Sequence, residues 1–397
     1  MLTQRQLFLQ HNAQTSPTPL LLEFVSAKGV YIYDSAGKKH LDLIAGIGVS
    51  NVGHCHPKVV EAVQKQAETY MHLMVYGEYV QTPQVNFAKA LADVLPERLN
   101  CTYFMNSGTE AVEGAMKLAK RFTGRQGFIA CRNAYHGSTH GAESLTESDE
   151  FTAGYGPFLP NVRFIEHNRL TDLDQIDGTV AAVFIEPIQG ESGVRVADID
   201  YIKALKAKCK EVGALLVFDE IQSGFGRTGK LFAFEHYGVV PDILLLAKGI
   251  GGGMPIGAFI SSSEIMSVLS HTPILGHMTT FGGHPVCCAA GLATLNVLLD
   301  EEIVHDVDRK GQLFKKLLKH PAIKEVRGKG LMLAAEFENF DINRQVIDAC
   351  ILDGVLSDWF LHCSNSMRIA PPLIITDEEI EEACNVILKN VEAVVRQ

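Results

Sequence analysis

Lys248 stands between the apolar run Leu244-Leu245-Leu246-Ala247 and the glycine-rich run Gly249-Ile250-Gly251-Gly252-Gly253. An ammonium group at the end of so apolar a strand, against small residues, is costly unless it is paired or used. A desolvated amine of lowered pKa is what Schiff-base chemistry needs, and a salt-bridged structural lysine is the competing account. Asp219, followed by Glu220, closes a second apolar run, Leu215-Leu216-Val217-Phe218. A carboxylate at the C-terminal end of a buried parallel strand lies where α/β sheets bind ligands; an aspartate capping the next turn is equally compatible. The third feature is Asn106-Ser107-Gly108-Thr109-Glu110-Ala111. Ser107 and Glu110 have capping-box spacing, which needs no function. Read functionally, Gly108 lets the backbone approach closely, and free N–H groups at a helix N-terminus meet a phosphate.

A phosphate loop, a strand-end aspartate and a strand-end lysine followed by glycines make up the set of groups that holds pyridoxal phosphate. Their order is more specific than any one of them. Other candidates fail on chemistry. Gly224-Phe225-Gly226-Arg227-Thr228-Gly229-Lys230-Leu231 nearly matches a P-loop, but Leu231 stands where a hydroxyl must hold Mg²⁺. A glycine-rich surface turn is the expectation there. The stretch 249–257 fails as a dinucleotide fingerprint, because Met254 and Ile256 fall where a last glycine is required. His54-Cys55-His56 has metal-ligand residue types but no second cluster at ligand spacing, so no metal is expected. Arg368, in Arg368-Ile369-Ala370-Pro371-Pro372-Leu373, has no chemical signature of its own.

These residues need a frame that places strand ends side by side. Short apolar runs alternating with helical patterns imply βαβ units and a largely parallel sheet. Strands are expected at 102–105, 128–131, 162–165, 180–185, 214–218 and 243–246, and helices at 109–121 and 201–212. The segment 22–44 reads as hairpin strands turning at Asp34-Ser35-Ala36-Gly37. From about residue 291, helices at 303–318 and 377–395 flank strands near 324–337. The expected architecture is α/β: a segment 1–50 joining a small domain, a large domain over 51–290, and a small α+β domain over 291–397.

The 397 residues are 47% hydrophobic and 20% charged, which excludes a disordered or fibrous chain. With 35 basic and 46 acidic side chains the net charge is −11, which argues against nucleic acid or an anionic membrane as partner. Nine cysteines without a C-x-x-C read as a reduced protein. No apolar run reaches membrane-span length and no signal peptide is recognisable, so the expected location is cytoplasmic.

Over nearly its whole length the chain resembles the class III aminotransferases of the fold-type-I pyridoxal-phosphate enzymes, especially the acetylornithine/ornithine group. The resemblance rests on Gly53-His54-Cys55-His56-Pro57, Asn106-Ser107-Gly108-Thr109-Glu110, Tyr135-His136-Gly137, Glu186-Pro187-Ile188-Gln189-Gly190-Glu191, Phe218-Asp219-Glu220-Ile221-Gln222, Ala247-Lys248-Gly249, Thr280-Phe281-Gly282-Gly283 and the Arg368 motif. It implies a Schiff base between Lys248 and pyridoxal 5'-phosphate, with Lys248 also shuttling a proton. Asp219 would pair with the pyridine nitrogen, Gln222 would lie near the ring hydroxyl, and Tyr135 would stack on the ring. Ser107, Gly108 and Thr109 would form the phosphate cup, and His136 and Glu186 would complete the cofactor site. Thr280 would reach the phosphate of a neighbouring subunit, which implies a homodimer with shared sites. Arg368 would grip the substrate α-carboxylate, and Glu191 would pair with it when an ω-amino substrate binds.

The acetylornithine and ornithine enzymes carry an arginine after the aromatic-His-Gly triplet, where it holds the distal carboxylate. Here that position is Ser138, followed by Thr139-His140. Either the true substrate has a neutral or cationic distal end, or a group such as His140 takes the carboxylate. The expected reaction moves an amino group from an amino acid to a 2-oxo acid, by family default 2-oxoglutarate. An amino-acid racemase or epimerase of the same family is the nearest rival. A nucleotide-phosphate hydrolase built on 224–230 is more distant.

Overall fold

The computed structural model describes residues 2–75 and 77–396. Its centre is a seven-stranded sheet in the order Cys101–Met105, Gly257–Ser261, Ile243–Leu246, Leu215–Asp219, Val180–Ile185, Gly127–Cys131, Val162–Ile165. Ile243–Leu246 and the four strands after it run parallel to one another; Gly257–Ser261 is antiparallel to both of its neighbours. Six strands therefore point the same way, and their carboxyl ends share one edge.

Successive side chains on these strands alternate between two apolar layers, because the pleat sends neighbours to opposite faces. Leu216, Phe218, Leu244 and Leu246 enter one layer. Leu215, Val217, Ile243 and Leu245 enter the other, beside Ala111, Val112 and Ala115 of the helix Gly108–Thr123. The helix Ile199–Val212 buries Ile202, Leu205 and Cys209 in the first layer and stops at Gly213 (φ 72°). Strands covered on both faces read as continuous apolar runs, which is why they were visible in the sequence.

A second sheet, antiparallel, contains Glu325–Lys329, Met332–Glu336, Cys363–Ile369 and Trp359–Phe360. The helices Val304–Leu317, Phe340–Leu352 and Asp377–Val395 accompany it in sequence. The two chain ends meet in a third sheet, where Lys39–Asp42 pairs in parallel with Val355–Leu356. The expected turn at 34–37 is held by Asp34 Oδ1, which accepts from the N–H groups of Ala36 and Lys38, each at 2.9 Å.

Two expectations change. The helix Pro285–Asp300 runs through residue 291, where the sequence reading began a separate unit. Gly291 is a packing contact and not a breaker: a Cβ there would collide with the Phe87 ring. The stretch 224–230 is no surface turn, because residues 223–228 are buried and only Lys230 is exposed. The Arg227 side chain, with no exposed surface, donates to the carbonyls of Leu331 (3.0 Å) and Pro371 and to Asn51 Oδ1. Burial lowers its pKa to about 9, against the charge of Asp42. A guanidinium with several donors can join three separated segments, which no turn residue achieves.

Arg227→Ala leaves those three acceptors without a donor in the interior. The expected cost is about 2–5 kcal/mol, read as a lower urea midpoint, since buried orphaned groups each cost about 1–3 kcal/mol. An unchanged midpoint would show that water replaces the guanidinium at no cost.

Candidate active site

The carboxyl edge of the central sheet opens into a cavity of about 470 Å³. Asn106, Glu186, Asp219 and Lys248 all follow strand ends and reach it from four neighbouring connections. This juxtaposition is the direct consequence of parallel pairing: Asp219 lies opposite Leu245 in register, three residues before Lys248.

Lys248 holds a positive φ of 50° in the turn after its strand. For a residue with a side chain this conformation costs about 1–3 kcal/mol, and it persists where the surroundings over-determine it. Its amine makes no hydrogen bond or ion pair with any described residue. Burial lowers its pKa below that of an ordinary lysine, although Glu191 pulls the other way. The competing account of a salt-bridged structural lysine does not hold.

Asp219 is held from two sides. Its Oδ1 accepts from Ile221 N–H (3.0 Å), and its Oδ2 accepts from His136 Nδ1–H at 2.7 Å. Burial opposes charge on His136, but the hydrogen bond and charge of Asp219 outweigh it and raise the pKa. The other imidazole nitrogen, Nε2, is buried without a partner. Glu186 lies alongside; burial pushes its pKa up to about 7, against the favourable charge of His136. Its oxygens accept from Tyr135 N–H (3.2 Å) and Gly190 N–H (3.0 Å), so it fixes the two loops that carry Tyr135 and Glu191.

The Ser107 loop is an anion cradle in shape. Ser107 caps the helix Gly108–Thr123 by accepting from Glu110 N–H (3.3 Å), and Glu110 reaches back to Asn106 N–H (2.7 Å). The N–H groups of Gly108 and Thr109 make no hydrogen bond to a described residue, as expected of a helix's first turn. The antiparallel strand Gly257–Ser261 approaches so closely that a Cβ on Gly257 would strike the Ser107 carbonyl. Thr109 Oγ1 shares a hydrogen bond with Thr139 Oγ1 (2.7 Å).

Glu191 also lines the cavity, and Arg368 lies behind it. Both Glu191 oxygens accept from Arg368 Nη2 at 3.0 Å. Burial opposes charge on Glu191, but Arg368 and Lys248 outweigh it and lower the pKa. Gln222 Nε2 donates to Glu191 Oε1 (3.3 Å). Tyr135 and Ser138 stand in the wall, joined through their hydroxyls (3.1 Å).

Two sequence candidates lie elsewhere. His140 is exposed, donates to the Pro157 carbonyl (2.8 Å) and stacks on Phe158; it does not line the cavity and is not a carboxylate clamp there. Thr280 is exposed and outside the cavity of its own chain. The structure adds Asp358, whose carboxylate accepts from Arg368 Nε at 2.7 Å. No sequence signal marked it, because its role exists only through the hairpin that sets it beside Arg368.

Residues 12–391 match the model of the class-III aminotransferase family, and the chain belongs to that family. An acetylornithine aminotransferase of Methanocaldococcus jannaschii is 44% identical over 377 residues, 91% of either chain. One from Caldanaerobacter subterraneus is 40% identical over 93% of this chain and 94% of its own. The ornithine aminotransferase of Toxoplasma gondii superposes with a TM-score of 0.91 at 34% identity, covering 98% of this chain and 93% of that one; in one of its structures the cofactor is partly occupied. The chain is thus a pyridoxal-phosphate-dependent transaminase. Its site fits that cofactor: an unpartnered amine, an orphaned His136 nitrogen behind Asp219, and two free N–H groups at a helix start.

The lowered pKa of Lys248 has a measurable sign. An amine that sheds its proton early is nucleophilic at lower pH, so cofactor uptake by the stripped protein should rise through a midpoint below about 10.4, the ordinary lysine value. Stopped-flow absorbance across pH reads this directly. A midpoint at the ordinary value would contradict the desolvated amine.

Proposed function

We propose that this enzyme takes an amino group from an ω-amino donor with a neutral or cationic distal end and passes it to a 2-oxo acid, 2-oxoglutarate. The observation that carries the reading is the placement of Glu191 between the cavity and Arg368. While the pair is closed, the Arg368 charge beside Lys248 is met by Glu191 and the wall accepts an ω-amino chain. When Glu191 withdraws, Arg368 meets the α-carboxylate of the 2-oxo acid, a charge-assisted contact.

Bound pyridoxal phosphate supplies an electron sink for negative charge at the substrate carbon. Lys248 Nζ would hold the cofactor at its aldehyde carbon, and as a free amine it would accept the proton that leaves the substrate carbon. Asp219, oriented by its His136 and Ile221 hydrogen bonds, would hold the proton of the ring nitrogen. Gly108 and Thr109 N–H with Ser107 would hold the phosphate, Tyr135 the ring face, and Gln222 the ring hydroxyl. A racemase would need no oxo-acid acceptor, which separates the two readings in one assay.

The homodimer reading is supported by what surrounds Thr280. Ile274, Leu275, Met278 and Phe281 are exposed apolar side chains, and Ile274 is 76% exposed. Four exposed apolar side chains within eight residues support an interaction site. Thr280 would then serve the partner's phosphate.

Borohydride reduction of the yellow protein followed by peptide mapping should place the cofactor on Lys248; an adduct on another lysine overturns the assignment. Ser138→Arg tests the donor. Arginine adds a planar charged fork where serine offers one hydroxyl, and such a contact contributes about 1.5–3 kcal/mol, roughly tenfold to a hundredfold. The variant should gain that factor in kcat/KM for N-acetylornithine and lose activity with the physiological donor. Efficient wild-type turnover of N-acetylornithine, unmoved by the substitution, would place the distal clamp elsewhere.

A further inference from the structure

The guanidinium of Arg368 is divided between two carboxylates, and the division is unequal. Asp358 Oδ1 takes Nε at 2.7 Å. Both oxygens of Glu191 then crowd onto Nη2 alone, each at 3.0 Å. Nε and Nη2 form the edge on which a carboxylate normally sits bidentately, one oxygen per nitrogen. With Nε occupied, Glu191 has only one nitrogen to hold. Nη2 also lies 3.5 Å from the Trp359 carbonyl, whereas Nη1 makes no hydrogen bond to a described residue, so Nη1 with Nη2 is the edge a third carboxylate takes once Glu191 leaves.

The two acids also differ in how they are mounted. Asp358 precedes the strand Trp359–Phe360, which is hairpinned onto Cys363–Ile369, and its carbonyl accepts from Arg368 N–H at 2.9 Å. Ser357 Oγ–H donates to the Arg368 carbonyl (2.7 Å), and the Phe360 ring lies 4.3 Å from Arg368 Cζ. Asp358 therefore travels with the arginine. Glu191 comes from a loop after the central sheet and is held by Leu361 N–H (3.2 Å) and Gln222 (3.3 Å).

We propose that Asp358 is a positioning residue that sets the strength of the Glu191 contact and reserves the Nη1–Nη2 edge of Arg368 for the substrate carboxylate. By taking Nε it denies Glu191 a two-nitrogen grip, so the glutamate can be displaced. It also keeps the guanidinium neutralised and in plane while the exchange occurs. Removing Asp358 releases Nε to Glu191, the closed pair tightens, and an incoming carboxylate competes less well. The inference rests on the proposed role of Arg368 as the carboxylate clamp.

The test is a binding cycle on the holoenzyme with glutarate, a dicarboxylate that cannot react, measured by calorimetry. Asp358→Ala should weaken glutarate by about tenfold or more, the scale of one charge-assisted hydrogen bond. Asp358→Asn keeps an acceptor on Nε and should lose only a few-fold, which also covers a poorly folding alanine variant. The loss of glutarate affinity should exceed any change in the half-reaction rate with 1,4-diaminobutane, which has no carboxylate for Arg368 to hold. Adding Glu191→Gln to Asp358→Ala should restore glutarate affinity, since the defect acts through the glutamate's grip. Unchanged affinity in Asp358→Ala, or a loss that persists in the double variant, overturns the proposal. Arg368→Gln separates the two claims: if it leaves glutarate affinity intact, the clamp reading fails and this one falls with it.

Discussion

Seating one amine against an apolar strand end, without giving it a permanent partner, is the constraint around which this molecule is built. Lys248 follows four apolar residues, sits in a strained turn, and has its proton affinity lowered by burial. Such an amine is stable only if charges close by compensate it collectively, because the desolvation of an isolated cation costs more than any single surface contact returns. Glu191, Asp219 and Glu186 supply that field at a distance, and Arg368 balances it. The arrangement leaves the nitrogen without a hydrogen-bond partner among the described residues.

The parallel sheet is what makes the compensation possible. Strands that run the same way end on the same edge, so groups far apart in the chain arrive together without any loop having to reach. His136 and Asp219, 83 residues apart, meet at 2.7 Å. The antiparallel strand Gly257–Ser261 has another purpose: its glycine permits the Ser107 loop to lie against it and fixes the helix start that faces the cavity. The Arg227 guanidinium performs a similar task at the back, tying the sheet that bears Arg368 to the loop that follows Asp219.

The residues proposed to select the substrate lie where the central and antiparallel sheets meet. Lys248 and Asp219 belong to the central sheet, Arg368 and Asp358 to the antiparallel sheet, and Glu191 bridges them. The lysine and aspartate proposed for cofactor chemistry and the arginine proposed for carboxylate recognition are thus mounted on different sheets.

The sequence by itself determined the local chemistry and the strands that carry it. Runs such as Val180–Ile185 and Ile243–Leu246 are apolar on both faces, as a covered parallel strand demands, and Lys248 and Asp219 stand out because charge at their ends is anomalous. Elements whose cues are ambiguous were not legible. The strand Gly257–Ser261 was not expected, because Gly257 and Ala258 dilute its apolar pattern. The helix Pro285–Asp300 is apolar nearly all round, so it has no one-sided periodicity to read. Glycines also mislead locally: Gly291 and the 224–230 stretch carry the residues of breaks and surface turns, yet both are buried contacts. Tertiary structure alone decided the pairings. That His136 braces Asp219, that His140 turns outward to Pro157, and that Asp358 divides the Arg368 guanidinium with Glu191 depend on distances between segments the chain does not encode locally. A side chain's type fixes what it can bond, while only the packed fold fixes which partner comes within about 3 Å, the range in which a hydrogen bond forms.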